Sequence, residues 1–154
     1  MINLRYLQVS ESDITQLVEM VVALIAYHKA IDQNYSSRLS IEAMAENLRL
    51  EIPNLKVFIL LAKDGNKLVG FIRGAIQERK DRAKDFGLLQ DIFVLPAYRK
   101  KGLAIKLLQD FESWVKQKGI KRIELQVDVR NRPAVDFWDK AGFVDYQVRK
   151  VKEI

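Results

Sequence analysis

The chain has 154 residues, 49% of them hydrophobic and 30% charged, a mix that suits one globular domain long enough to bury a core. It has no cysteine, which excludes a disulfide framework, a thiolate nucleophile and a cysteine-based metal site, and its single histidine and scattered carboxylates form no ligand motif. The net charge of +6 is uneven, with 10 Lys/Arg against 9 Asp/Glu in residues 1–80 and 16 against 11 in residues 81–154, so an anionic ligand is steered toward the C-terminal half.

The N-terminal residues Met1 to Arg5 lack a signal-peptide plan, and Ile2–Val9 reads as a first strand. Ser12 or Asp13 caps a helix whose apolar face carries Ile14, Leu17, Val18, Val21, Leu24 and Ile25. No run of about 18 apolar residues occurs, so no membrane span is expected. A second helix, Ile41–Glu51, follows Ser40 and is stopped by Pro53. Lys56–Lys63 and Lys67–Gln77 form strands around the turn Asp64-Gly65-Asn66, and Gly70 and Gly74 mark a bend or a close backbone approach.

Phe86–Val94 is the next strand, and a helix spans Gly102–Lys118 with Leu103, Leu107, Leu108, Phe111 and Val115 inward. Ile123–Val129 alternates apolar and polar residues, the period of a strand. Asn131 sits where an N-cap is wanted, Pro133 suits a first helical turn, and Ala134–Lys140 makes a short helix. Gly142 ends it in the left-handed conformation, and Phe143–Lys152 reads as a closing strand. Without repeats or linkers, residues 1–154 read as one domain, and without a targeting signal the expected location is cytoplasmic.

Between the strand Phe86–Val94 and the central helix runs Leu95-Pro96-Ala97-Tyr98-Arg99-Lys100-Lys101-Gly102-Leu103-Ala104-Ile105. Amides that open a helix lack intrahelical acceptors and sit at the positive end of the dipole, so this junction suits a phosphate group. Gly102 removes a side chain where the anion approaches, Ala104 keeps the next turn narrow, and Arg99, Lys100 and Lys101 add formal charge. The basic patch would also suit nucleic acid, but Lys116, Lys118, Lys121 and Arg122 have no interleaved aromatics, so no nucleic-acid partner is expected.

The segment Arg-x-x-Gly-x-Ala from Arg99 to Ala104 resembles motif A of the GCN5-related N-acetyltransferase (GNAT) superfamily, and Asn131 to Phe143 is similar to its motif B. The resemblance implies an α/β fold with a mixed, mostly antiparallel central sheet flanked by helices. Its order is β-α-α-β-β-β-α-β-α-β with splayed central strands, close in feel to small polyamine-type acetyltransferases. It implies acetyl-CoA as cosubstrate, with its diphosphate on the amides from Arg99 to Ile105 and its pantetheine arm along Ile92, Phe93 and Val94. Val94 N–H is then the oxyanion donor, while Asn131, Pro133, Trp138 and Lys140 of motif B contribute to the same cofactor.

The chain departs from its relatives at two positions that handle protons. Trp138 stands where many relatives have Tyr, and Gln90 where polyamine-type members have Glu, and neither exchanges a proton near neutral pH. Asp91 and His28 are the remaining candidates for a base, beside the ambiguous Tyr98 and Tyr146. The expected acceptor is a small-molecule or peptide amine shaped by residues 27–40 and 76–85, with Tyr35, Glu78, Asp81 and Asp85 available to attract a cation. The alternatives are acetylation of a protein N-terminus or lysine, and an acyl-CoA-binding module without catalysis. Relatives often pair through edge strands, so a homodimer is compatible; no metal is expected.

Overall fold

A computed structural model describes residues 3–154. Its strands lie side by side in chain order: β1 (Leu4–Gln8), β2 (Val57–Asp64), β3 (Lys67–Gln77), β4 (Phe86–Val94) and β5 (Ile123–Glu124). The first four pair antiparallel, and β5 pairs with β4 in parallel. The central strands are near-continuous apolar runs, Phe58-Ile59-Leu60-Leu61-Ala62 in β2 and Leu68-Val69 with Phe71-Ile72 in β3, as a sheet buried on both faces demands.

Two helices cover each face. α1 (Ile14–Ile31) and α2 (Ile41–Glu51) pack Leu17, Val18, Leu24 and Leu48 against Ile59, Leu61, Phe71 and Phe93. On the other side α3 (Leu103–Gln117) sets Leu107, Leu108, Phe111 and Val115 against Leu60, Val69, Ile72 and Leu89, beside α4 (Arg132–Lys140) and its Trp138. Gly74 is what lets α3 approach: an added Cβ would stand 2.4 Å from the Phe111 ring and 2.8 Å from the Leu88 carbonyl.

Several boundaries differ from the sequence expectation. The first strand is Leu4–Gln8; Ile2 lies outside the described residues. A 3-10 turn over Glu11–Asp13 precedes α1, and α4 begins at Arg132 rather than Ala134. The segment Glu11–Ile31 is long and apolar enough, by length and composition, to cross a membrane, against the expectation of no such stretch. In the fold its Leu17, Val18 and Leu24 lie against the sheet.

The largest differences lie at the sheet's far edge. β5 stops at Glu124 instead of reaching Val129, and no strand forms over Phe143–Lys152. The alternation there is real, but a strand needs a ladder partner, and β5 offers only two residues. Side chains hold the segment instead: the Arg82 guanidinium donates to the Tyr146 hydroxyl at 2.6 Å, and Arg149 to Gln126 at 3.3 Å. Phe143 still packs on Trp138, while Val144 and Val148 stay exposed.

Candidate functional site

β4 and β5 part after two residue pairs, Gly87 with Ile123 and Leu88 with Glu124. The cause is local. Asp91 pairs with Arg73 and Leu89 with Gly74, so Gln90 is the extra residue of a β-bulge, which sharpens twist and bends the strand just beyond its last contact with β5. Leu95 N–H donates to the Val69 carbonyl at 2.9 Å. Antiparallel alternation then turns the main-chain groups of Phe93 to β3 and those of Ile92 and Val94 to the opposite edge, where no strand pairs with them among the described residues. The sequence reading singled out Val94; the geometry presents Ile92 N–H equally. Their side chains face α3, whereas those of Asp91 and Phe93 face α1 and α2.

The end of that open edge meets the start of α3. Lys100 (φ 59°) and Gly102 (φ 81°) both adopt the left-handed conformation, and the first helical bond runs from Lys106 N–H to the Gly102 carbonyl at 3.0 Å. The N–H groups of Leu103, Ala104 and Ile105 therefore have no acceptor within the helix. An added Cβ on Gly102 would meet nothing within 4 Å, so the positive φ, and not crowding, is what asks for glycine there. Lys101 Nζ donates to the Ala97 carbonyl at 3.0 Å and lies over the Tyr98 ring. Tyr98 in turn donates to Asp64 Oδ2 at 2.9 Å, an acceptor that holds the phenol above its usual range and ties the turn to the β2–β3 hairpin. Tyr98 is thereby committed to packing.

Arg99 follows the Pro96–Tyr98 turn, and its side chain folds back onto the end of β4 rather than toward the first amides of α3. Its Nε donates to the Val94 carbonyl at 2.9 Å, and its guanidinium covers the rings of Tyr27 and Phe93 at 5.4 and 5.5 Å. Tyr27, expected only as the first residue of the acceptor-shaping stretch 27–40, donates its O–H to Asn131 Oδ1 at 3.1 Å and so joins the end of α1 to the start of α4 across the parted strands. Asn131 is buried and takes the N-cap position through its carbonyl, which accepts from Val135 N–H; its side chain is used on Tyr27 and makes no cap bond.

The remaining motif B residues separate. Pro133 sits in the first turn of α4, beside Asn131. Trp138 is 7% exposed, wedged between Phe137 and Phe143, and its identity is explained by the core. Lys140 is exposed at the opposite end of α4, about 13 Å from Asn131 at helical rise. Tyr146 is engaged with Arg82 and Arg122 near β5.

A cavity of about 260 Å³ opens on the α1/α2 face of β4. Arg73, exposed by no sequence motif, is its organising charge: its Nε donates to Asp91 Oδ2 at 2.8 Å, and its Nη1 donates to both carboxylate oxygens of Glu51 at 3.2 and 3.1 Å. Burial works against the guanidinium charge, but the two carboxylates outweigh it and hold Arg73 above its usual range. Asp91 Oδ1 accepts no hydrogen bond among the described residues. Burial, with the nearby Asp91 charge, raises the Tyr35 phenol at the cavity rim. His28 lies one ring further out, 4.8 Å from Tyr35 and 5.9 Å from Tyr27 between centroids, and does not line the cavity. Beyond it Asp128 is drawn down to about 2 by its two-pronged bond with Arg130. Of the acids expected to attract a cation, Glu78 pairs with Lys56 and Asp81 with Arg79, and neither they nor Asp85 line the cavity.

The sequence model of the Acetyltransferase (GNAT) family matches residues 22–143. An uncharacterized N-acetyltransferase of Bacillus subtilis is 28% identical over 96 residues, covering 62% of this chain and 64% of its own length. The match thus spans less than two-thirds of that relative. A thialysine N-epsilon-acetyltransferase of Caenorhabditis elegans is 25% identical over 143 residues, covering 93% of this chain and 84% of its own. Among solved structures, an aminoglycoside antibiotic 6'-N-acetyltransferase from Acinetobacter baumannii superposes with a TM-score of 0.75 at 20% identity, covering 99% of both chains.

Proposed function

The chain belongs to the GNAT acetyltransferase family, and from that premise we propose that it transfers an acetyl group from acetyl-CoA directly to a primary amine. The observation that carries this reading is the open edge of β4, whose Ile92 and Val94 amides point into the gap beside β5 and lead to the unpaired amides at the start of α3. These groups fit the cosubstrate. A pantetheine arm is an amide chain that can pair with an open strand edge, and a diphosphate suits a helix start flanked by Lys100 and Lys101.

Acetyl-CoA supplies the thioester carbonyl. The protein's part is orientation and charge: Val94 N–H donates toward the carbonyl oxygen as negative charge grows there, and Ile92, about 7 Å away along the same strand edge, is left to pair with the pantetheine arm. Arg99 closes the end of the gap by its bond to the Val94 carbonyl, and the Tyr27–Asn131 bond bridges its mouth. Asp91 holds the acceptor ammonium on the cavity side of the same strand. With no cysteine, attack by the amine on the thioester in a ternary complex replaces an acyl-enzyme. Gln90 and the core-bound Trp138 move no proton, and His28 lies outside the cavity, so water carries protons to and from the reacting groups.

Two measurements test this. Calorimetry should detect saturable binding of acetyl-CoA and of desulfo-CoA, and thiol release should follow on adding amine. The rate should rise with pH as the acceptor loses its proton, and His28→Ala should leave that profile unchanged. Binding without thiol release across a broad amine panel would instead identify a non-catalytic acyl-CoA module.

A further inference from the structure

We infer that the acceptor is a compact amine with one positive charge and an apolar body, recognised in the cavity between β4, α1 and α2; this rests on the acetyl-transfer reading above. The charge balance comes first. Asp91 and Glu51 bring two negative charges and Arg73 one positive, leaving a single unit of negative charge at the cavity floor. Arg73 Nε donates to Asp91 and Nη1 to Glu51, and Nη2 lies 2.8 Å from the same Asp91 oxygen, so both forked edges of the guanidinium already face a carboxylate and neither is free to grip a substrate carboxylate or phosphate in two-pronged fashion. Asp91 Oδ1 accepts nothing from the protein among the described residues and is the natural anchor for one ammonium.

The rest of the cavity has a different character. Leu24, Met44 and Leu48, with Leu39 at the lip, form its helical wall, and Tyr35, Ser36, Ser37 and Asn47 complete the lining with polar groups that carry no carboxylate. A second ammonium placed against this wall would lose water without gaining a carboxylate, a costly arrangement. The acids that could have formed a polycation track are elsewhere, Glu78 and Asp81 being paired with Lys56 and Arg79 in the solvent. At about 260 Å³ the space also lies below the roughly 300–1,000 Å³ typical of sites for drug-sized ligands. The cavity thus differs in kind from what a polyamine or a multiply charged amino sugar requires.

The experiment compares acetyl-CoA turnover by thiol release for phenethylamine and leucinamide against spermidine and kanamycin, beside calorimetry of the same amines with the CoA-bound protein. The expected kcat/KM for the two monoamines exceeds that for the polycations by about tenfold or more. Asp91→Asn should raise KM for phenethylamine at unchanged acetyl-CoA affinity. Asn47→Asp, which adds a carboxylate at the cavity rim, should raise the relative kcat/KM for spermidine about fivefold, the worth of one extra charge pair near water. If acetyl-CoA binds and the polycations are equal or better substrates, or neither class binds the CoA complex, the inference is overturned while the family reading stands. If acetyl-CoA itself fails to bind, the acetyl-transfer reading falls and takes this inference with it.

Discussion

Asp13 shows how one side chain can join three elements. Its carboxylate accepts from Ser10 N–H and Ser10 Oγ, both at 2.9 Å, and pairs with Lys63 of β2, with only 7% of its side chain exposed. Burial pushes the carboxyl up, but the lysine and serine donors pull further and leave it below its ordinary value. A carboxyl depressed in the folded state contributes stability above the unfolded value of about 3.9, and that contribution is lost as pH falls through the folded one. Asp13→Asn should therefore cost about 3 kcal/mol at pH 7, since it leaves Lys63 half-buried without its charge partner. In urea melts the gap to the unmodified chain should narrow at pH 3. A gap independent of pH would mean the ion pair contributes nothing.

The elements owe their placement to close approaches that only particular residues permit. Gly74 admits the Phe111 ring against β3. Gly74→Ala would force α3 outward and should lower stability by about 2–3 kcal/mol, read as a shifted denaturant midpoint at unchanged slope. An unshifted midpoint would mean that α3 does not rest on that strand. The parted edge of β4 makes its own prediction. The amides of Ile92 and Val94 should exchange with deuterium faster than those of Phe93 and Leu95, which face β3, and acetyl-CoA should slow the first pair selectively. Equal protection in the unliganded protein would contradict the open edge. At the α3 start, Gly102→Val would oppose the positive φ and set a side chain beside the unpaired amides, so acetyl-CoA affinity should fall about tenfold.

At the scale of the whole molecule, the net charge of +6 and its excess in residues 81–154 act at long range. Association of the polyanionic cosubstrate should slow as ionic strength rises, because the Debye length shrinks from about 30 Å at 0.01 M to about 10 Å at 0.1 M. Stopped-flow binding at those two salt levels checks it, and a salt-independent rate would assign the basic surface no role in capture. Bound acetyl-CoA at 100 times its dissociation constant should add about 2.7 kcal/mol to unfolding stability if it binds only the folded chain.

The elements with strong local signatures are legible in the chain without its fold. The apolar runs of β2 and β3, the inward stripe of α3, the Asp64-Gly65-Asn66 turn and the Gly142 cap all appear where period and turn chemistry place them, because those signals are written in neighbouring residues. Motifs A and B gave the family for the same reason. The remaining features are relational. The bulge at Gln90, the early end of β5 and the unpaired state of residues 143–152 depend on which ladder each strand finds. Arg73 carries no motif, and its meeting with Glu51 and Asp91 draws on three separate elements, α2, β3 and β4. Tyr27 and Asn131, 104 positions apart, are joined only by the chain's return across the sheet. Local periodicity fixes which residues face inward, but the charge balance of a cavity is set by long-range contacts that no window of sequence contains.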